Sequence, residues 1–160
     1  MLYRNNRKLR PHVNILYVCL GNICRSPMAE FMLRSATDAA NLSGVQIESA
    51  GVAAEVDEPA TPHTVTVLAE QGIDGSNHVA RQLTERMLAD ADLVFVATEA
   101  VRRRVLNYQN ADASKVRLML GESDLADPWG FSLETYRSTA RQLAPQVDRW
   151  VSEITTRMNG

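Results

Sequence analysis

An almost wholly apolar run at residues 13 to 20 constrains the fold of this chain more than any other feature, and a second lies at residues 93 to 97. Strands of this kind are typical of the centre of a parallel sheet, where helices cover both faces. Residues 45 to 50 and 116 to 120 instead alternate apolar and polar side chains, as a strand does when one face meets water. We therefore expect the two apolar strands at the centre and the two alternating strands at the edges.

Helical patterns separate the four predicted strands. They begin near Ser26, Thr61, Thr84, Val101 and Glu134. Strands that alternate with helices favour right-handed crossovers, a parallel sheet and helices on both of its faces. The sequence thus predicts an α/β fold with four strands in the order 2-1-3-4. Within the last helix we expect Pro145 to cause a kink near Arg141, because proline cannot donate the backbone hydrogen bond.

Length and charge predict one domain behind a basic arm. The 160 residues are 45% hydrophobic and 22% charged, which is a globular composition. Arg4, Arg7, Lys8 and Arg10 place four positive charges on the first ten residues, so 13 basic and 19 acidic residues, a net charge of −6, remain for the rest. We divide the chain into a basic N-terminal extension, residues 1 to 11, and one domain, residues 12 to 160. The acidic body argues against binding to nucleic acid.

The sequence predicts a cytoplasmic protein that binds no membrane. No apolar run approaches the roughly 18 residues of a membrane span, and none follows the basic arm as it would in a secretory signal. The two cysteines, Cys19 and Cys24, cannot form a disulfide framework. They would also need further ligands to bind zinc, and His12, His63 and His78 are scattered without ligand spacing.

The segment CLGNICRSP, residues 19 to 27, follows the first predicted strand, where the winding of such a sheet reverses and ligands bind. Gly21 can adopt positive φ and Asn22 tolerates it, so successive backbone N–H groups can turn inward as an anion nest. The dipole of the following helix strengthens that nest, and Arg25 adds a planar guanidinium that matches two phosphate oxygens. The same field favours the thiolate of Cys19, which is then a nucleophile for a bound phosphoryl group.

The longer string CLGNICRSPMAE closely resembles the active-site loop of the low-molecular-weight protein-tyrosine phosphatases. The resemblance continues in residues 48 to 51 (ESAG), 72 to 83 and 127 to 130 (DPWG), and it extends over roughly residues 12 to 157. It implies hydrolysis of phosphotyrosine in proteins, and of aryl phosphates, through a cysteinyl-phosphate intermediate with no metal or organic cofactor. It also implies a phosphotyrosine protein as substrate and, by analogy with some bacterial relatives, a partner tyrosine kinase in polysaccharide export.

Three residues carry the chemistry that this resemblance implies. Cys19 would be the nucleophile, Arg25 would clamp the phosphate, and Asp127 would act first as general acid and then as general base. Pro128 stiffens the loop of Asp127, which follows the fourth strand at the same edge of the sheet. Asp124 is the alternative acid.

The remaining site residues would support that chemistry. The predicted phosphate-binding residues are Leu20, Gly21, Asn22, Ile23, Cys24 and Ser26. Ser26 is expected to cap the helix and, by resemblance, to donate to the sulfur of Cys19. Asn22 would hold the loop through a hydrogen-bond network that includes Ser49. His78 is expected to be a structural polar residue.

The wall of the substrate slot departs from the family pattern. Residues 52 to 59 lack the aromatic residue of many relatives, so we expect Trp129 to provide most of the ring stacking. That stretch instead contains Glu55, Asp57 and Glu58, which would place up to three negative charges at the rim of the slot. Phosphotyrosine peptides with a neighbouring Arg or Lys would then be preferred. The opposite preference would follow if the basic arm lay beside the slot.

Two other functions are compatible with the same loop. Thioredoxin-coupled arsenate reductases share the fold and the loop but relay oxidation through further cysteines, whereas both cysteines of this chain lie within the loop. A phosphate- or phosphotyrosine-binding module without turnover is compatible with the missing aromatic wall. Against that module, Cys19, Arg25 and Asp127 are all present.

Overall fold

A four-stranded parallel sheet organises the chain, of which the computed structural model describes residues 12 to 159. Its strands are β1 (Val13–Cys19), β2 (Val45–Gly51), β3 (Leu93–Val96) and β4 (Val116–Leu118). They lie in the order β2-β1-β3-β4, so the predicted order is confirmed, and the two apolar strands occupy the centre. The predicted basic extension, residues 1 to 11, lies outside the described residues.

Five α-helices in this part of the chain cover the sheet. They are α1 (Arg25–Ala39), α2 (Pro62–Glu70), α3 (Glu85–Asp90), α4 (Glu99–Leu106) and α5 (Leu133–Asn159). Helices α1, α2 and α5 share an apolar core with one face of the sheet, and α3 and α4 share another with the opposite face. The prediction of helices on both faces is therefore confirmed.

The pleat of β1 divides its side chains between the two cores. Ile15, Tyr17 and Cys19 belong to the core with α1 and α5, whereas Leu16 and Val18 belong to the core with α3 and α4. The last residue of the strand is therefore directed toward the side of the sheet on which α1 lies.

The start of α1 and the course of α5 bear on two predictions. Helix α1 begins at Arg25 with Cys24 as its N-cap residue, so the prediction that Ser26 caps the helix is wrong. Ser26 instead lies within the first helical turn, because the helix begins two residues earlier than expected. Helix α5 continues through Pro145 without a break, and the kink near Arg141 stays a prediction.

Gly51, the last residue of β2, lets the loop after β1 approach the sheet closely. A Cβ atom at this position would lie 2.5 Å from the carbonyl oxygen of Leu20 and 3.1 Å from the Cα atom of Ala54. Both neighbours are backbone atoms, so a larger residue would displace the loop. The Gly51 N–H donates to the carbonyl of Arg81 at 3.0 Å, which fixes a second connecting segment to the same strand end.

Within residues 12 to 159, no helix combines the length and the apolar character that a crossing of the bilayer requires. The same residues contain no group of three or more His, Cys, Asp or Glu side chains that could hold a metal ion.

Candidate active site

The loop between β1 and α1 directs its carbonyl groups outward, into the surrounding protein. The carbonyl oxygens of residues 19, 20 and 21 accept hydrogen bonds from the backbone N–H groups of residues 52, 53 and 55, at 3.0, 2.9 and 3.0 Å. The carbonyls of residues 22, 23 and 24 accept from His78 Nε2, the Thr61 N–H and the Met28 N–H, at 2.7, 3.0 and 3.1 Å. Because a carbonyl can only accept, Nε2 of His78 must carry the hydrogen.

The backbone N–H groups of the same loop are left without protein acceptors. In the described part of the chain, no hydrogen bond has the N–H of residues 20 to 26 as its donor. The loop turns at Asn22, which has a φ of 58°. Positive φ was also expected at Gly21, but Gly21 does not adopt it. Asparagine enters this left-handed region more readily than most residues. The result is the ring of free donors that an anion nest requires.

A chain of hydroxyl and amide groups leads to the sulfur of Cys19. The Asn22 amide donates to Ser26 Oγ at 2.8 Å and to Ser49 Oγ at 2.9 Å. Ser49 in turn donates to the buried carboxylate of Glu30 at 2.6 Å. With its oxygen already accepting from Asn22, Ser26 can direct its own hydrogen to Cys19 Sγ, 2.9 Å away. A donor at this position stabilises a thiolate.

Arg25 is buried, and its guanidinium lines the cavity above the loop. Its Nη1 donates to the carbonyl of Leu125 at 2.9 Å, and its Nη2 lies 3.7 Å from Asp127 Oδ2. Its Nε is also buried, and it has no hydrogen-bond partner among the described residues. A buried donor without a partner costs about 1 to 3 kcal/mol, so an anion that accepts from it would relieve that cost.

Of the two candidate acids, Asp127 and Asp124, only Asp127 lines the cavity. Its side chain is half-exposed, and Oδ1 accepts from the Trp129 N–H at 3.1 Å. Asp124 is occupied elsewhere, because its Oδ1 accepts from the Glu99 N–H at 2.9 Å, at the start of α4. The structure therefore brings Asp127, and not Asp124, together with Cys19 and Arg25.

The cavity has a volume of about 210 Å³ and is open to solvent at the level of Trp129. Its walls are Cys19, Leu20, Gly21, Ile23, Cys24, Arg25, Glu55, Asp127 and Trp129. The phosphate-binding candidates Asn22 and Ser26 do not line it, because they lie behind the loop in the hydrogen-bond chain to the sulfur. Trp129 is 63% exposed at the entrance, where an aromatic ring of a ligand could stack on it.

Cys24 has surroundings very different from those of Cys19. Its sulfur lies 3.4 Å from Tyr136 Oη and 3.6 Å from Thr61 Oγ1. Burial raises the pKa of the Cys24 thiol, and the negative charge of Asp127 adds to this, while the two hydroxyl contacts lower it. Cys24 is therefore a neutral thiol at neutral pH, and its contribution to an anion site is its backbone N–H.

Sequence reasoning missed two residues that support the loop. Arg81 donates from its backbone N–H to Asn22 Oδ1 at 2.9 Å and from Nε to the carbonyl of Ser49 at 3.0 Å. Glu30 is only 6% exposed, although its spacing to Arg34 is that of an ordinary surface ion pair on a helix. Both residues fall within stretches already noted for their resemblance, Arg81 in residues 72 to 83 and Glu30 at the end of CLGNICRSPMAE, but the sequence does not indicate that Glu30 is buried.

Comparison with known proteins places this site in a family. The sequence model of low molecular weight phosphotyrosine protein phosphatases matches residues 14–159. The probable low molecular weight protein-tyrosine-phosphatase EpsP of Ralstonia nicotianae is 40% identical over 143 residues, which cover 88% of this chain and 94% of that protein. A protein-arginine-phosphatase of Bacillus subtilis is 36% identical over 149 residues, which cover 86% of this chain and 98% of that protein.

A solved structure gives the same result. The low molecular weight protein tyrosine phosphatase of T. tengcongensis matches with a TM-score of 0.83 at 36% identity, over 88% of this chain and 99% of the other. Sequence and fold agree over nearly the whole length. This chain therefore belongs to the family of low molecular weight phosphotyrosine protein phosphatases.

Proposed function

We propose that this chain hydrolyses phosphotyrosine in proteins, and small aryl phosphates, through a cysteinyl-phosphate intermediate on Cys19. One observation carries the proposal: Cys19, Arg25 and Asp127 line a single cavity whose floor has free backbone N–H donors. A thiol nucleophile, an anion site and a carboxyl group are the three components that this reaction requires. The apolar side chains of Leu20 and Ile23, with the indole of Trp129, suit the phenyl ring.

In the first step, the thiolate of Cys19 attacks phosphorus and the bond from phosphorus to the phenolic oxygen breaks. The loop N–H groups and the Arg25 guanidinium bind the phosphoryl oxygens and stabilise the charge that develops on them. Asp127 starts this step protonated and gives its proton to the departing phenolate. The products of the step are tyrosine and a phosphorylated Cys19.

In the second step, the ionised Asp127 takes a proton from water, and the resulting hydroxide attacks phosphorus. The bond between phosphorus and sulfur breaks, and phosphate leaves. The hydrogen bond from Ser26 stabilises Cys19 as the departing thiolate. All charge stabilisation in this scheme comes from the chain itself, so we propose no cofactor.

The test compares wild type with Cys19→Ser, using Cys24→Ser as the matched change of thiol to hydroxyl in the same loop. We expect Cys19→Ser to lose turnover of a phosphotyrosine peptide and of p-nitrophenyl phosphate while it still binds inorganic phosphate. Cys24→Ser should retain turnover within about tenfold, since its thiol is neutral and faces Tyr136. Turnover by Cys19→Ser at the wild-type rate would refute the proposal. Phosphate binding by a wild-type protein without turnover would favour the binding module, and thioredoxin-dependent arsenate reduction would favour the reductase.

Phosphoarginine is the second candidate substrate class, because the Bacillus subtilis relative is a protein-arginine-phosphatase and Glu55 lines the cavity. A carboxylate there could bind the guanidinium group of phosphoarginine. The apolar walls formed by Leu20, Ile23 and Trp129 favour phosphotyrosine instead. A phosphoarginine peptide in the same assay distinguishes the two, and we expect a higher kcat/KM for the phosphotyrosine peptide of matched sequence.

The substrate that we propose is a phosphoprotein, and a tyrosine kinase of the same cell is the partner that would produce it. We also propose a cytoplasmic location, because a catalytic thiol must remain reduced and both Cys19 and Cys24 are free. The division into a basic extension, residues 1 to 11, and one catalytic domain, residues 12 to 160, is part of the same proposal.

A further inference from the structure

A groove of about 370 Å³ lies beside the catalytic cavity and shares three of its walls. Ile23, Glu55 and Trp129 line both spaces. From these walls the groove continues along Glu58, Pro59, Ala60, Thr61 and Pro62. Because the cavity and the groove share these walls, a substrate protein whose phosphorylated side chain fills the cavity would have its neighbouring residues beside the groove.

One β-turn brings two carboxylates to this groove. The N–H of Glu58 donates to the carbonyl of Glu55 at 3.0 Å, and Asp57 within the turn has a φ of 69°. The turn is fixed at both ends, since the Glu55 N–H donates to the carbonyl of Gly21 at 3.0 Å and the Ala80 N–H donates to the carbonyl of Glu58 at 2.8 Å. Glu55 and Glu58 are therefore held close together on a fixed backbone. Asp57 lines neither space, so it does not contribute to the wall.

Both carboxylates are available to a ligand. Within residues 12 to 159, neither Glu55 nor Glu58 has a basic side chain within ion-pair distance. Both side chains are exposed. Glu30, Glu48 and Glu70, in contrast, each pair with an arginine. The groove thus carries two negative charges that the described part of the chain does not neutralise.

The remaining walls suit a cation on an aliphatic stem. Trp129 presents an indole on which a guanidinium or ammonium group can rest through a cation–π contact. Pro59 and Pro62 offer apolar surface to the methylene groups that arginine and lysine bury while their charged end stays in water. Together, the two carboxylates, the indole and the prolines are complementary to a side chain that has a positive charge at the end of an aliphatic stem.

We propose that this groove binds an arginine or lysine side chain close to the phosphotyrosine in the substrate protein. Glu55 and Glu58 would contact the cationic group, and Trp129 would separate it from the phenyl ring in the cavity. The proposal rests on the proposed phosphotyrosine phosphatase function and names the sequence context that this function would select.

The experiment measures kcat/KM for matched phosphotyrosine peptides. Arg, Gln or Glu is placed in turn at each of the two residues before the phosphotyrosine and each of the two residues after it. We expect the Arg peptide to exceed the Glu peptide by about two- to tenfold at one or more positions, as exposed charge pairs do. That ratio should fall toward one in the double variant Glu55→Gln, Glu58→Gln. It should also fall as NaCl rises from about 50 mM to about 500 mM, because salt screens exposed charges.

Glu153→Gln is the matched control, because it removes one exposed carboxylate from α5, away from both spaces. It should leave the ratio between Arg and Glu peptides unchanged. Hydrolysis of p-nitrophenyl phosphate separates the two proposals: if no enzyme form cleaves this compound or any peptide, the proposed function fails. If cleavage is normal, only the peptide ratio decides the role of the groove.

Two outcomes would overturn the assignment of the groove to the substrate. The first is an Arg-to-Glu ratio at or below one at every position in wild type, or a ratio that the double variant does not change. The second involves the basic arm in the full chain, with Arg4, Arg7, Lys8 and Arg10 all changed to Gln. If this change raises kcat/KM for every peptide alike, and Glu58→Gln abolishes the rise, then the arm occupies the groove instead.

Discussion

Two cysteines five positions apart on one loop have opposite surroundings, and the different roles that we propose for them rest on this difference. Cys19 lies 2.9 Å from the Ser26 hydroxyl, whose oxygen already accepts from the Asn22 amide, so the Ser26 hydrogen is available to this sulfur, which is nearer than its other acceptor, the Ala50 carbonyl at 3.4 Å. Cys24 is buried against Tyr136, and that burial raises its pKa. The residue type alone does not distinguish a nucleophile from a packed thiol, whereas the donors around each sulfur do.

Asp127→Asn should slow turnover of phenyl phosphate by about 10²- to 10⁴-fold, the usual contribution of a general acid. The deficit should shrink for p-nitrophenyl phosphate, because a better leaving group needs less protonation. The measurement is kcat across a series of aryl phosphates with increasing leaving-group pKa, compared with wild type. A deficit of the same size for every member of the series would assign protonation to another group.

Asp124→Asn is the matched control for this series. Asp124 accepts from the Glu99 N–H at the start of α4, and an asparagine amide oxygen can still accept there, so the replacement removes only the negative charge beside the helix N-terminus. We expect a loss of about 0.3 to 1 kcal/mol in the free energy of unfolding, with no dependence of kcat on the leaving group. A leaving-group dependence in this variant would identify Asp124 as the acid.

At the scale of elements, the catalytic loop is held by segments that come much later in the chain. The N–H groups of residues 52, 53 and 55 donate to its first three carbonyls, and Thr61 and His78 donate to two of the others. These hydrogen bonds, rather than the conformational freedom of a glycine, hold the backbone in the turn at Asn22. Pre-organised donors stabilise a transition state without a further cost of reorganisation during the reaction.

Gly51→Ala tests how closely this support fits the loop. The added Cβ would lie 2.5 Å from the Leu20 carbonyl oxygen, which is backbone and must move. Since a displacement of about 1 Å in a catalytic group can cost about 10²-fold, we expect kcat/KM for p-nitrophenyl phosphate to fall by that order. Circular dichroism would show that the variant folds.

The control for this change is Gly72→Ala. Gly72 has a φ of 75° after α2, but a Cβ there would meet no atom within 4 Å. We expect a loss of about 1 kcal/mol in stability and unchanged kcat/KM. If Gly51→Ala behaved in the same way, the close approach of Leu20 to β2 would have no part in catalysis.

The order of the elements was predictable from the sequence, whereas the details of the loop were not. Two strands that are apolar throughout and two that alternate determine the centre and the edges of the sheet by burial alone. The left-handed turn at Asn22 is held by hydrogen bonds from His78 and Arg81, which lie more than fifty residues further along. The burial of Glu30 likewise depends on Ser49 of β2. Local sequence patterns do not indicate contacts between residues that lie so far apart in the chain.

At the scale of the whole molecule, the anion site and the fold share their hydrogen bonds. The same contacts that orient the loop also join β1, β2 and the segment around residue 80. The guanidinium of Arg25 is buried, and its Nε has no hydrogen-bond partner among residues 12 to 159. An anion that fills this site should therefore stabilise the entire domain.

Inorganic phosphate at about 100 times its Kd should raise the free energy of unfolding by about 2.7 kcal/mol. For a domain of this size the corresponding rise in Tm is about 5 to 11 °C, measured by thermal denaturation. Cys19→Ser should show the same rise, and Arg25→Lys a much smaller one, because lysine cannot reproduce the planar contact. Sodium chloride at equal ionic strength is the control. An equal rise with chloride would show that the effect is not due to the loop.

The position of Trp129 also gives the protein an optical probe of its own active site. The chain has two tryptophans, and the other, Trp150, packs edge-on against Phe95 with ring centroids 4.8 Å apart. Trp129 emits from the solvent-exposed entrance, so its fluorescence should respond to an occupant of the cavity or of the groove. Trp150 is partly buried where α5 packs against the core, it lines neither the cavity nor the groove, and its fluorescence should respond when the domain unfolds. With Trp150→Phe, occupancy of the site becomes visible without any label.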